Sequence, residues 1–167
     1  MHYSKIFFQD TVNGEGNRVT LFVSGCNHGC HGCWAPETWD FKYGVEYTSD
    51  LEQKIIDTLN LDFYSGLSIL GGDPLSRRNR PTIYNLVQRV KSECKNNNIW
   101  IWTGYTYEEC IIHNDISDIL SYCDILVDGK FDKNLYSSDI LYRGSSNQRI
   151  IDVHQSLNLQ KVINYLP

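Results

Sequence analysis

The sequence lacks the features that place a protein in or across a membrane. Its 167 residues contain no apolar run close to the roughly eighteen residues that a membrane-spanning helix needs. The first segment, Met1 to Asp10, has a short apolar part and becomes polar too soon for a secretory signal. We therefore expect a cytoplasmic protein that has no membrane partner.

A surplus of positive charge is also missing. The chain has 15 Lys and Arg residues against 20 Asp and Glu residues, which gives a net charge of −5. Because proteins that bind nucleic acid use an excess of Lys and Arg against the phosphates, this balance argues against nucleic acid as a main partner. The apolar fraction of 41% is that of a globular protein, and the length favours a single domain over residues 1–167.

Cysteine is scarce outside one short segment. Three of the six cysteines, Cys26, Cys30 and Cys33, have C-x3-C-x2-C spacing, and the next cysteine is Cys94. In a reducing compartment these thiols stay free. A cluster of four irons normally takes four thiolates, so three closely spaced ligands would leave the fourth iron open to a small molecule. Cys26, Cys30 and Cys33 are therefore candidate ligands of an iron–sulfur cluster.

A structural zinc site is the alternative interpretation of the same loop. His28 and His31 lie between the cysteines and could complete a Cys3His ligand set. Zinc motifs more often consist of two C-x2-C pairs, and no second pair follows here, so the spacing favours iron–sulfur. We expect His28 and His31 to be solvated. The remaining cysteines, Cys94, Cys110 and Cys123, are predicted to be small core residues.

Short apolar runs alternate with stretches of helical periodicity. Ser49 with Glu52, and Thr106 with Glu109, have the spacing of helix capping boxes. The predicted strands are Val19–Val23, Leu67–Leu70, Ile99–Trp102 and Ile125–Val127. Helices are predicted after Ser49, across Ile83–Cys94, from Thr106 to Leu120 and, on a weak pattern, within Val153–Leu166.

This alternation predicts an α/β protein with a parallel sheet, in which the loops that follow the strands carry the chemistry. The cysteine loop follows the first strand, and the next three strands are followed by Gly71–Asp73, Thr103–Gly104 and Asp128–Gly129. All four unusual segments are thus expected at one edge of the sheet. Because a closed eight-unit barrel takes about 250 residues, we predict an open, incomplete (β/α) barrel of about five to six βα units.

Six segments resemble those of radical S-adenosylmethionine enzymes, and specifically the activating proteins of the anaerobic ribonucleoside-triphosphate reductase. The C-x3-C-x2-C loop is common to the superfamily, whereas Trp100–Tyr105 and Arg143–Arg149 single out the reductase activators. The six matching segments are Asn13–Gly16, Gly25–Trp34, Gly71–Leu75, Trp100–Tyr105, Asp128–Phe131 and Arg143–Arg149.

The resemblance implies the fold of the radical S-adenosylmethionine (SAM) enzymes, with chemistry that resides in cofactors. Cys26, Cys30 and Cys33 would hold one 4Fe-4S cluster, and S-adenosyl-L-methionine would bind at its fourth iron. An external one-electron donor such as flavodoxin would reduce the cluster. The protein substrate would be the anaerobic ribonucleoside-triphosphate reductase, which loses a hydrogen atom from a backbone glycine. Residues expected to contact SAM are Gly32, Cys33, Trp34, Gly71, Gly72, Asp73, Thr103 and Asp128.

Two positions depart from the wider superfamily. Gly32 stands where many members carry an aromatic residue, so we expect the adenine to contact the backbone of Gly32–Trp34. Asp73 stands where Glu is usual. Its side chain is one methylene shorter, but it would still accept a charge-assisted hydrogen bond from the ammonium group of SAM.

Two other functions stay open at this point. The first is activation of another glycyl-radical enzyme, of the formate-lyase type. Such activators are usually longer and lack the ending Arg143–Arg149. The second is a zinc-binding interaction module without catalysis, which the metal content of the purified protein would reveal.

Overall fold

The computed structural model describes residues 1–96 and 98–165, which form one mixed sheet flanked by helices. The strands are β1 (His2–Asp10), β2 (Arg18–Val23), β3 (Val45–Glu46), β4 (Gly66–Gly71), β5 (Asn98–Trp102), β6 (Ile125–Asp128) and β7 (Arg149–Asp152). The α-helices are α1 (Ser49–Leu59), α2 (Arg80–Glu93), α3 (Tyr107–Ile111), α4 (Asn114–Leu120) and α5 (Val153–Leu159). Short 3₁₀ turns occupy Pro36–Trp39 and Lys133–Leu135.

The sheet is open, with strand order β3-β1-β2-β4-β5-β6-β7. Strands β2, β4, β5 and β6 run parallel, whereas β1 and β3 at one edge and β7 at the other are antiparallel to their neighbours. The prediction of an open α/β sheet is confirmed, and each of the four predicted strands is present. The parallel part comprises four strands, and antiparallel strands that were not predicted complete both edges.

The parallel strands form the centre of the molecule because they are covered on both faces. Strands β2, β4, β5 and β6 are almost wholly buried, which explains their near-continuous apolar sequences. Helices α1 and α2 pack on this core through residues at helical spacing, among them Ile55, Leu59, Leu86 and Val90. A second, smaller cluster consists of Trp100, Ile125, Val127 and Ile150.

The helix starts show how local chemistry sets the boundaries. Thr106 and Glu109 form the predicted capping box, with Thr106 Oγ1 accepting from the Glu109 N–H and Glu109 Oε2 accepting from the Thr106 N–H. The predicted box at Ser49 is wrong by one residue. Thr48 caps helix α1, because its Oγ1 accepts from the Leu51 N–H at 3.3 Å, and Ser49 is already helical.

The C-terminal segment differs from the predicted helix over Val153–Leu166. Strand β7 comes first, and helix α5 then ends at Leu159, where Gln160 takes a left-handed conformation (φ +52°). Leu166 lies outside the described residues. The described part of the chain contains no helix with the length and apolar character that crossing a bilayer demands.

The three scattered cysteines lie in the core, as predicted. Cys94, Cys110 and Cys123 are free and buried. Burial raises the pKa of Cys94 to about 11 and also raises the pKa of the other two thiols. These three thiols are therefore inert, protonated packing groups.

Candidate functional site

The loops after the four parallel strands meet around one cavity of about 510 Å³. Because β2, β4, β5 and β6 are parallel, their carboxyl ends lie at the same edge of the sheet, as the sequence predicted. Each loop contributes to the cavity wall. The contributing residues include Cys26, Cys30, Cys33, Gly71, Gly72, Thr103, Gly104 and Gly129.

The cysteine loop is folded back against the turn Pro36–Trp39 by backbone hydrogen bonds. The Gly25 N–H donates to the Thr38 carbonyl at 2.7 Å, and the Cys26 N–H donates to the Trp39 carbonyl at 3.3 Å. Gly25 has a φ of +98°, and a Cβ at this position would overlap the Phe41 ring. The turn out of strand β2 therefore requires glycine.

The three thiols of the loop are free, half-buried and lie on the same cavity wall. Burial raises the pKa of Cys26 to about 11 and also raises the pKa of Cys30. The Cys26 sulfur accepts a hydrogen bond from the His28 N–H at 3.5 Å. Among the described residues, no three His, Cys, Asp or Glu side chains are gathered as the ligands of a single metal ion.

These thiols fit the expected iron–sulfur cluster. A four-iron cluster assigns each thiolate to a different iron, so three sulfur atoms spread along one loop suit it. Metal binding deprotonates the coordinating thiols, which offsets the cost of burying their charge. Cys26, Cys30 and Cys33 would hold the cluster, and the cavity beside them leaves room for a further ligand.

The Gly-Gly pair after strand β4 allows a close approach of two backbones. A Cβ on Gly71, whose φ is +106°, would lie 2.6 Å from the Val23 carbonyl oxygen. A Cβ on Gly72 would lie 2.9 Å from the Gly25 carbonyl oxygen. Both glycines also line the cavity. They bring the end of β4 against the start of the cysteine loop. The part of the cavity wall that they form carries no side chains.

Asp73 lies behind this wall. Its side chain is fully buried, and its oxygens accept from the Leu75 N–H at 2.8 Å and from Thr103 Oγ1 at 3.0 and 3.1 Å. A carboxylate oxygen is also paired with His28 Nε2. Asp73 is not among the described residues that line the cavity. Its expected contact with SAM stays a prediction.

Asp128 holds the last strand in place. It is 1% exposed and accepts from the Tyr107 N–H at 2.7 Å and from Arg149 Nε at 3.0 Å. Arg149 is also paired with Glu108. Gly129, but not Asp128, is among the described residues on the cavity wall. The Asp128 carboxylate therefore joins β6, β7 and α3 beside the site.

Aromatic side chains form much of the remaining wall. Trp34 is 70% exposed at the cavity mouth, with its ring 5.2 Å from Tyr136 and 6.2 Å from Phe131. Deeper in, Trp102 Nε1 donates to the Tyr142 carbonyl at 2.8 Å. Gly32 is exposed, and a Cβ there would meet the Lys133 side chain. Gly32 is not among the described residues on the wall.

Two kinds of site residue were not identified from the sequence. His28 was expected to be solvated, but its side chain is only 10% exposed and is held by Asp73, whereas His31 is exposed as predicted. No local pattern separates the two histidines, because the partner of His28 lies 45 residues away. Phe131 and Tyr142 also line the cavity, although neither was among the residues expected to contact SAM.

Comparison with known proteins agrees with this arrangement of thiols. Residues 12–151 match the family model of a 4Fe-4S single cluster domain, so the chain is a protein of that class. It is 45% identical over 152 residues to the anaerobic ribonucleoside-triphosphate reductase-activating protein of Vibrio cholerae, which covers 90% of this chain and 97% of the relative.

Two further relatives carry the same name. The protein of Pasteurella multocida is 41% identical over 152 residues, covering 90% of this chain and 96% of the relative. That of Escherichia coli K12 is 43% identical over 150 residues, covering 89% and 96%. The chain belongs to the family of anaerobic ribonucleoside-triphosphate reductase-activating proteins.

Proposed function

We propose that this protein is a radical SAM activase that generates a glycyl radical on the anaerobic ribonucleoside-triphosphate reductase. The observation that carries the proposal is the position of Cys26, Cys30 and Cys33. All three free thiols face one cavity at the carboxyl edge of four parallel strands. Residues 1–167 would act as a single domain whose open sheet corresponds to an incomplete (β/α) barrel of the radical SAM type.

The cavity is the proposed SAM site. Its volume of about 510 Å³ lies within the range of about 300–1,000 Å³ that is common for small-molecule sites. Gly71 and Gly72 would admit the methionine part close to the backbone, and Thr103 offers a hydroxyl on the wall. Cys33 and Trp34 would border the adenosine part beside the mouth. Gly32 and Asp128 would act by shaping and fixing the adjacent loops.

The cofactors supply the difficult step, and the chain supplies placement. When bound, the cluster held by Cys26, Cys30 and Cys33 would supply one electron, taken from a donor of the flavodoxin type, for the reductive cleavage of SAM to methionine and a 5′-deoxyadenosyl radical. The aromatic wall of Trp34, Trp102 and Phe131 would keep water and other hydrogen donors away from that radical. The hydrogen atom removed from the glycine α-carbon would end in 5′-deoxyadenosine, and the glycyl radical would remain on the reductase.

The reductase would dock at the cavity mouth, where exposed apolar side chains accumulate. Trp34 is 70% exposed there, and nearby Leu135, Tyr136 and Leu141 are 43%, 48% and 65% exposed. A glycine substrate suits this site because it has no side chain that would hold its α-carbon away from the adenosyl group. The open sheet leaves this side accessible to a loop of the partner.

The decisive test is a glycyl radical signal. Anaerobically reconstituted protein, reductant, SAM and the reductase large subunit are mixed and examined by electron paramagnetic resonance. We expect a glycyl radical on the reductase that requires all four components. A signal that forms on a formate-lyase type partner and not on the reductase would reassign the substrate. If the purified protein contained zinc and neither iron nor sulfide, the result would indicate a zinc-binding module without catalysis.

A further inference from the structure

His28 connects the cysteine loop to the interior of the protein. It lies between Cys26 and Cys30, yet its side chain is 10% exposed and its Nε2 contacts the Asp73 carboxylate. The ring packs edge-on against Tyr105, with centroids 4.6 Å apart. A Cβ on Gly104 would lie 2.5 Å from His28 Cδ2, so glycine at that position makes room for the ring.

Asp73 is a fixed anchor for this histidine. Its own N–H donates to the Gly25 carbonyl at 2.9 Å, and Asn79 Nδ2 donates to its carbonyl oxygen at 2.9 Å. The carboxylate accepts from Thr103 Oγ1 and from the Leu75 N–H. A buried carboxylate is stable only with such partners, and here protein groups supply them. Two of these partners, His28 and Thr103, line the cavity, so the carboxylate lies directly behind the cavity wall and holds the cysteine loop there.

The other end of the connection is a sulfur atom. The His28 backbone N–H donates to Cys26 Sγ at 3.5 Å, so the ring and the N–H of one residue join Asp73 to a cluster ligand. Hydrogen bonds to cluster sulfurs stabilise the additional negative charge of the reduced state, and they are among the factors that set its reduction potential.

We propose that His28 and Asp73 are positioning residues for the cluster loop, and that Asp73 acts on the loop through its contact with His28. Their contact holds the loop so that the His28 N–H stays on the Cys26 sulfur. The inference rests on the proposed function only for the identity of the cluster. The contacts that place the loop are formed by protein groups alone, so their effect is measurable without iron.

The test compares His28→Leu and His28→Gln with His31→Leu. His31 is a matched control, since it lies in the same loop but is exposed and forms no hydrogen bond or ion pair with the described residues. In iron-free protein, His28→Leu should release the loop and expose the half-buried Cys26 thiol to the reagent, which increases its alkylation rate. His31→Leu should leave that rate unchanged. Gln places an N–H where His28 Nε2 stands, so His28→Gln should restore the slow rate.

The loaded protein provides two more measurements. Loss of a residue that orients a metal ligand typically costs about 10- to 100-fold in metal affinity, so His28→Leu should release iron to a chelator correspondingly more readily. Its cluster should also have a more negative reduction potential, because the hydrogen bond to Cys26 is weakened. Combining His28→Leu with Asp73→Asn should add nothing to the effect of His28→Leu alone.

Two results would overturn the proposal. One is a His28→Leu protein whose Cys26 alkylation and iron retention match those of His31→Leu. The other is an Asp73→Asn protein whose thiol reactivity, iron content and reduction potential are all unchanged, since Asp73 would then have no effect on the loop. Absence of a glycyl radical in the wild-type assay would refute the proposed function and leave the alkylation result valid.

Discussion

At the scale of single residues, the six cysteines fall into two groups with different surroundings. Cys26, Cys30 and Cys33 line the cavity, whereas Cys94, Cys110 and Cys123 are buried in the core. We expect replacement of any one of the first group by Ala to abolish the cluster, because two thiolates do not hold a cubane. Iron and sulfide content after anaerobic reconstitution, with the visible absorption of the cluster, measures this.

The buried cysteines are the matched control for this experiment. Cys110→Ala removes only a packed sulfur, so it should cost about 1 kcal/mol of stability and leave the iron content unchanged. A requirement for Cys94, Cys110 or Cys123 in iron binding would refute the three-ligand assignment.

Two glycines in the site loops differ in how much space surrounds them. Gly71→Ala would place a Cβ against the Val23 carbonyl at a φ of +106°, and we expect it to cost about 2–4 kcal/mol from strain and overpacking. Gly29 has a φ of +60° and nothing within 4 Å of an added Cβ, so Gly29→Ala should cost only about 1 kcal/mol. Denaturant unfolding of the iron-free variants gives both values. Equal losses of stability in the two variants would mean that the backbone around Gly71 moves to make room for the added Cβ.

The sequence predicted the grouping of the three thiols better than it predicted the contacts around them. The cysteine spacing indicated this group because its members are close together in the chain, and the structure places all three on one cavity. His28 and His31 look alike in sequence, and only the fold brings Asp73 against one of them. The same holds for Asp73, whose partners Thr103 and His28 come from other loops.

At the scale of elements, a charged network joins three of them beside the cavity. Arg149 on β7 donates to Asp128 on β6 and to Glu108 on α3. Arg149→Met leaves the buried Asp128 carboxylate without its cation, and we expect a loss of about 2–3 kcal/mol in the free energy of unfolding. Glu108→Gln removes only the exposed partner and should cost less than about 1 kcal/mol. Equal free energies of unfolding for the two variants would mean that the pairing of Arg149 with Asp128 does not stabilise β7.

Glu108 also predicts a dependence on pH. The hydrogen bond from Arg149 lowers the pKa of Glu108 from 4.5 to about 2. A carboxylate with a lowered pKa stabilises the fold above its ordinary pKa, and that contribution is lost as the pH falls toward the folded-state value. The stability difference between wild type and Glu108→Gln should therefore shrink between about pH 5 and pH 2, and it stays below about 1 kcal/mol since the pair is partly exposed. A difference that grew on acidification would contradict this assignment.

The elements that were predicted are those whose burial is uniform. Strands β4, β5 and β6 are buried on both faces and stand out as apolar runs. Strand β1 alternates intermediate and exposed residues, and β3 has only two residues, both exposed, so neither has a strong apolar signal. Strand β7 has four residues and is recognisable only through its pairing with β6.

At the scale of the whole molecule, the position of the cavity predicts how the partner approaches. Leu141 is 65% exposed near the mouth, and Leu159 on α5 is 56% exposed. Leu141→Glu would put a charge into the proposed interface, so we expect weaker association with the reductase and unchanged iron content. Leu159→Glu is the matched control and should bind normally. Equal binding by both variants, measured by calorimetry, would place the interface elsewhere.

The exposed side of the cavity also determines how a hydrogen atom could pass from the reductase to SAM. Trp34 lines the cavity and is 70% exposed, and its ring packs against the 48% exposed Tyr136, so this side of the cavity would give a peptide loop a route to the proposed SAM site. If the transfer is direct, deuterium on the α-carbon of the reductase glycine should appear in 5′-deoxyadenosine, as measured by mass spectrometry. Reductase that carries deuterium at a different glycine should give 5′-deoxyadenosine without deuterium. Normal radical formation without label in 5′-deoxyadenosine would require an intermediate hydrogen carrier, and the role assigned to the open mouth would then fail.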